Sequence, residues 1–136
     1  MTLQVGGTCW YAVADSRNIS PTGWHVPSDA EWQTLINYLG GNDVAGGKMK
    51  EAGTTHWRSP NLGATNESGL FSALPGSYRD LNGSYLSIGC NAHFWSSTES
   101  YSNYAWNYYL DCIHSEVYRS YYDKPDGFSV RCVRDY

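Results

Sequence analysis

Apolar positions in this chain change period along its length, and that change predicts the order of its elements. Trp32, Leu35, Ile36 and Leu39 recur at i, i+3, i+4 and i+7, one face of an α-helix. Ser28-Asp29-Ala30-Glu31 precedes them as a capping box, Asp29 adds an anion to the first turn, and Gly40-Gly41 ends the run. A helix is therefore predicted over 28–39. A second, shorter one is predicted over Val44–Ala52, where Gly46 and Gly47 cost about 1 kcal/mol each relative to alanine and so point to close backbone packing. Earlier, Cys9-Trp10-Tyr11-Ala12-Val13 reads as a first strand. Residues 54–74 are polar and glycine-punctuated, a long loop with Trp57, Leu62, Leu70, Phe71 and Leu74 as anchors. Beyond it the pattern is that of strands: a hairpin around Asn82-Gly83, then Phe94–Thr98, Ala105–Leu110 and Glu116–Ser120. A last strand is predicted over Phe128–Val133, with Phe128, Val130 and Cys132 on one face and Ser129, Arg131 and Val133 on the other.

The segment Tyr101–Tyr122 breaks the apolar pattern. Seven of its 22 residues are tyrosine, and most of the others are Ser, Asn, Asp, Cys, Ile and His. Each buried hydroxyl needs a partner, so a core strand is a poor home for so many. Tyrosine supplies large, rigid, amphipathic contact area, and Ser and Asn supply adaptable hydrogen bonds. That composition marks a ligand-binding face.

Length and composition narrow the rest. The 136 residues make one domain, 1–136, with low charge (16%) and high aromatic content (15%), which favours short strands and tight turns over a helical bundle. A net charge of −4 without a basic run excludes a nucleic-acid partner. No apolar run is long enough for membrane insertion, and no signal peptide is visible. Cys9, Cys90, Cys112 and Cys132 form no C-x-x-C pair. They permit two disulfides in three connectivities, among them a Cys9–Cys132 staple of the chain ends, or four thiols. Asn18, Asn66 and Asn82 head N-x-S sequons.

Catalytic signatures are absent: no H-E-x-x-H, G-x-S-x-G, Walker or dinucleotide motif occurs, and His25, His56, His93 and His114 stand far apart. No enzyme and no cofactor is expected. Asp123 and Asp126 offer oxygen ligands of the kind Ca²⁺ takes, but their spacing is unspecific and a solvated acidic loop is the preferred reading. Trp24, Trp32, Trp95 and Trp106 are expected in the core.

Several motifs resemble the Fibrobacter succinogenes major paralogous domain: Gly23-Trp24-His25-Val26-Pro27-Ser28-Asp29-Ala30-Glu31-Trp32, Ala45–Gly53, Thr54-Thr55-His56-Trp57, Gly63–Gly69, Ala73-Leu74-Pro75-Gly76, Phe94–Glu99 and Gly127–Arg134. The resemblance covers about 20–134. It implies a bacterial domain, extracellular or at the cell surface and carried on a longer protein. It also implies an α+β, C-type lectin-like fold with two helices, small antiparallel sheets and long loops. The calcium-dependent sugar motifs Glu-Pro-Asn and Trp-Asn-Asp are missing.

The same motifs resemble the variable proteins of diversity-generating retroelements, in which template adenines are copied unfaithfully. Template Asn codons then become Tyr, Ser, Asp, His, Ile or Cys codons, close to the alphabet of 101–123. The resemblance implies a fixed frame of Trp95, Ser96, Ser97, Ala105, Trp106, Leu110, Val117, Arg119, Lys124, Gly127 and Phe128. It implies varied, ligand-binding positions at Tyr101, Tyr104, Asn107, Tyr109, Asp111, His114, Tyr118, Tyr121, Tyr122 and Asp123. Cys90 and Cys112 become candidates for variation without a designed disulfide partner, and Glu116 falls outside the codon scheme. The implied partner is a protein or glycan ligand. The rivals are a structural module of a surface or pilus-like assembly, and an enzyme akin to the formylglycine-generating enzymes, which share the fold type but are much longer.

Overall fold

The computed structural model describes residues 5–66 and 71–135. The anchor expected at Leu70 and the motif end Glu67–Gly69 lie outside the described residues. In chain order the elements are β1 (Val5–Thr8), α1 (Trp10–Ala14), β2 (Trp24–His25), α2 (Asp29–Tyr38), α3 (Asn42–Met49), β3 (Tyr78–Arg79), β4 (Tyr85–Leu86), β5 (Asn91–Tyr101), β6 (Tyr104–Asp111), β7 (Tyr118–Asp123), β8 (Phe128–Val130) and β9 (Val133–Arg134). The fold is α+β.

Among the described residues five strands form the main sheet in the order β1-β8-β5-β6-β7, and β2–β9 and β3–β4 make two small ones. The main sheet is mixed rather than antiparallel throughout, because β5 and β8 run parallel. Val5 lies opposite Val130 and Trp24 opposite Arg134, so the two ends of the described chain are paired.

Helix α2 forms as its sequence dictates. Ser28 Oγ accepts from the Glu31 amide at 3.2 Å, and Glu31 Oε1 accepts from the Ser28 amide at 3.0 Å. Its apolar face puts Trp32 in stacked contact with Tyr108, 5.3 Å between centroids, and beside Phe94 and Phe71. Helix α3 is where the two glycines matter. A Cβ on Gly46 would sit 2.0 Å from the Glu116 carbonyl oxygen, and one on Gly47 2.3 Å from that of Gly63. Both neighbours are backbone, so only glycine allows the helix to lie this close.

Among the described residues three helices are present, not two. The stretch Cys9–Val13 was expected as a strand; the strand lies just before it, and Trp10–Ala14 is helical. Five apolar residues cannot declare a period. Trp10 and Val13, three apart, pack into the core while Tyr11 stays exposed. The Trp10 indole donates to the Ser96 carbonyl and its amide to that of Lys124.

The final strand is divided. The chain leaves the main sheet after Val130 and joins β2 at Val133. Phe128, Val130 and Cys132 do share one core, and Arg131 turns the other way, its guanidinium 4.6 Å from the Phe71 ring centroid.

One disulfide joins Cys90 to Cys112, which corrects the expectation that this pair lacks a designed partner. The Cys9–Cys132 staple does not form: Cys132 is a buried thiol 3.2 Å from Ser20 Oγ. In the 54–74 loop Trp57 and Phe71 are buried anchors, whereas Leu62 and Leu74 are exposed.

Candidate functional site

Strands β6 and β7 carry most of the predicted site residues in an uninterrupted register from Tyr104↔Asp123 to Tyr109↔Tyr118. Side chains alternate across a strand, so the tyrosines separate onto two faces of the sheet. Tyr104, Trp106 and Tyr108 share the α2 side with Arg119 and Tyr121. Asn107, Tyr109, Tyr118 and Tyr122 lie on the other. The expected single face is therefore two surfaces back to back.

On the α2 side a chain of contacts runs outward from the helix start. Asp29 holds the Arg119 guanidinium through two hydrogen bonds of 2.9 and 2.8 Å and accepts a third from the Tyr108 hydroxyl at 2.7 Å. Arg119 keeps the Asp29 carboxyl below the usual carboxylate range, against the opposing effect of burial. The guanidinium in turn lies 3.5 Å from the Trp106 ring centroid, a cation–π contact. Tyr121 stands edge-on to Trp106 and Tyr104, both at 5.6 Å, and to Tyr101 at 6.2 Å. Tyr101 (66% exposed) and Tyr121 (50% exposed) present this cluster to solvent. Trp106 is only half-buried, which corrects its placement in the core; Trp24 is likewise half-buried at the core's margin.

The opposite side is more enclosed. His93, 2% exposed, stacks between Tyr109 and Phe128, each at 4.8 Å, with Tyr78 and Tyr122 around it. Tyr109 also stacks on Tyr118 at 4.9 Å, and His114 meets Tyr118 edge-on. Burial, then neighbouring acid, raises the phenol of Tyr109. Neither nitrogen of His93 and neither amide atom of the buried Asn107 has a hydrogen-bond partner among the described residues. Asn107 thus stands apart from the other predicted contact residues, being inaccessible.

Burial pushes His93 from 6.5 down to about 3. The unfolded chain therefore takes up a proton that the native state refuses, and stability falls as pH drops through the window from 6.5 toward 3. Asp126, raised by burial to about 6, works in the opposite direction between 6 and 3.8. The prediction is accordingly a difference. His93→Phe, which keeps the stack, should lose about 2–3 kcal/mol less than the parent between pH 6.5 and 4.5, measured by urea unfolding at each pH. Parallel pH profiles would contradict it.

Asp111 and His114 sit at the β6–β7 turn, where the Asp111 carboxylate pairs with His114 Nδ1 at 2.8 Å. That turn is braced by the Cys90–Cys112 bond, by the Val117 amide on the Asn42 carbonyl, by the Gly47 and Leu62 amides on the Ser115 and Cys112 carbonyls, and by Lys50. The Lys50 ammonium, fully buried, donates to the carbonyls of Leu62, Asp111 and His114 at 2.8, 2.8 and 2.9 Å. At the other end Lys124 pairs with Glu99, donates to the Ser102 carbonyl at 2.8 Å and lies over the Trp10 ring. Ser96 Oγ donates to the Trp106 carbonyl at 2.8 Å. Asp29 and Lys50, which hold the site from outside it, have no sequence signature beyond the cap and the resemblance motifs.

Asp123 pairs across from Tyr104, and its carbonyl accepts from the Asp126 amide. Among the described residues no three His, Cys, Asp or Glu side chains group as a metal site, and no helix is long and apolar enough to cross a membrane.

Fold and surface together define a small α+β domain with an exposed aromatic cluster at one end of its main sheet. The chain belongs to the Fibrobacter succinogenes major domain family, whose family model matches residues 9–134. No curated protein and no solved structure matches it.

Proposed function

We propose that this chain is a noncovalent, noncatalytic ligand-binding domain of C-type lectin-like type, displayed outside the cell or at its surface. Its contact surface is the cluster of Tyr101, Tyr104, Trp106 and Tyr121, and its 101–123 codons are diversified by a retroelement. The ligand is a macromolecule. The observation that carries this reading is the interlocking of these rings at the surface, pre-ordered by the Asp29–Arg119 pair. Rigid aromatic anchors with little ordering cost are what binding hot spots use.

The division between frame and display supports the same reading. Trp95, Ser96, Ala105, Leu110, Val117, Lys124 and Phe128, all frame positions, are buried. Trp106, Arg119 and Ser97 depart from that rule on the exposed side, and Asn107 departs in the opposite sense.

Arrays of surface glycans and exported proteins, probed with the parent domain and with Tyr121→Ala, test the proposal. A specific ligand should lose about 2 kcal/mol, roughly 30-fold in affinity, with the variant. The variant's unfolding free energy should move by only about 0.5 kcal/mol. Binding that is indifferent to Tyr121 would overturn the assignment of the surface.

A further inference from the structure

Among the described residues strand β7 is an edge, with β6 its one neighbour in the sheet. In an antiparallel pair every second residue turns its N–H and C=O away from the partner. Among the described residues no backbone hydrogen bond outside the β6 pairing begins or ends on Tyr118–Tyr122. Proteins normally guard such an edge with lysine, proline, a bulge or extreme shortness. Over its six residues β7 has no lysine or proline, and its register with β6 is unbroken, whereas β5 and β6 are bulged. Its one cationic side chain, Arg119, is already engaged by Asp29.

We propose that β7 takes up an extended segment of a partner protein as a sixth strand, and that this segment carries a basic residue toward each end. The proposal rests on the ligand-binding reading and narrows it to a protein ligand. Main-chain bonds would supply affinity, and side chains alternating along the segment would lie beside Tyr118 and Tyr122 on one face and Tyr121 on the other.

Charge selects the occupant. Glu116 lies two residues before the strand and Asp123 closes it, and neither forms an ion pair among the described residues. They stand seven positions apart, roughly 23 Å in extended chain. A basic-ended segment meets attraction at both.

The probe is a blocked synthetic peptide, Lys-Thr-Val-Thr-Val-Thr-Val-Lys, titrated into isotope-labelled domain and followed by amide chemical shift and hydrogen exchange. Shifts and added protection should centre on 118–123. The same peptide with glutamate at both ends should bind about tenfold more weakly, since two cross-strand attractions become repulsions. The double variant Glu116→Lys with Asp123→Lys should reverse that preference, and N-methylation at alternate peptide residues should abolish binding.

No shift at millimolar peptide, shifts away from β7, no charge preference, or concentration-dependent self-association through β7 would each overturn the proposal. The glutamate-ended peptide leaves the protein untouched, so failure of the double variant to fold does not rescue it. If an array ligand depends on Tyr121 but leaves the β7 amides unprotected, strand addition falls while the ligand-binding reading stands.

Discussion

Lys50→Met is expected to destabilise the domain by about 3–5 kcal/mol, although it breaks no ion pair among the described residues and nearly preserves volume. The Lys50 ammonium is the shared donor for three carbonyls from two segments, Leu62 on one side and Asp111 and His114 of the β6–β7 turn on the other. Hydrogen bonds to a charged donor contribute about 1.5–3 kcal/mol each, and a buried orphaned carbonyl costs about 1–3. Relief of the buried ammonium's desolvation offsets part of the sum. Methionine fills the space over Trp57 but donates nothing. Urea unfolding should show the loss, and added exchange of amides near residues 111–117 should show where it is felt. A loss below about 1 kcal/mol would mean that the turn holds its shape without the lysine.

Trp95→Ala should cost about 3–5 kcal/mol, while Trp106→Ala costs about 1–2 kcal/mol of stability, the scale of its ring and cation contacts. Trp95 is fully buried, donates to the Thr8 carbonyl at 2.8 Å and lies 4.3 Å from Phe128. Trp106 is half-buried between Arg119 and Tyr121. Its removal unseats Tyr121, so the larger loss should appear in affinity for an array-selected ligand, about 2 kcal/mol or more. Thermal unfolding and binding titration of both variants separate these outcomes. Equal destabilisation by the two would erase the distinction between frame and display.

Much of this was legible in the chain. The capping box and the spacing of Trp32, Leu35, Ile36 and Leu39 give α2 almost to the residue. Gly46 and Gly47 announced a close approach of backbones, and Asn82-Gly83 a hairpin. What stayed hidden depended on distant partners. Cys9–Val13 is too short to reveal a period, so its apolar run reads as a strand although Trp10–Ala14 is helical. Cysteine spacing does not select a pairing, and the Cys90–Cys112 bond follows from β5 and β6 bringing their ends together. The two-sided placement of the tyrosines was available in principle, since Tyr121 and Tyr122 must point to opposite faces of one strand. Composition alone treated them as one surface. Asp29 and Lys50 were invisible as site supports because each acts on residues at least twelve positions away.

If the 101–123 surface is shaped by what it binds while the surrounding frame stays constant, the record of that shaping lies in the DNA. The genomic DNA around the coding region tests this without knowledge of the ligand. Sequencing it should reveal a reverse-transcriptase gene and a near-identical repeat that differs from this coding region only where the repeat has adenine. Those differences should fall on the codons of Tyr101, Tyr104, Tyr109, Tyr118, Tyr121 and Tyr122 and spare those of Trp95, Ala105, Leu110, Val117 and Phe128. Differences scattered over all four template bases, differences at the buried frame codons, or no repeat at all would contradict it.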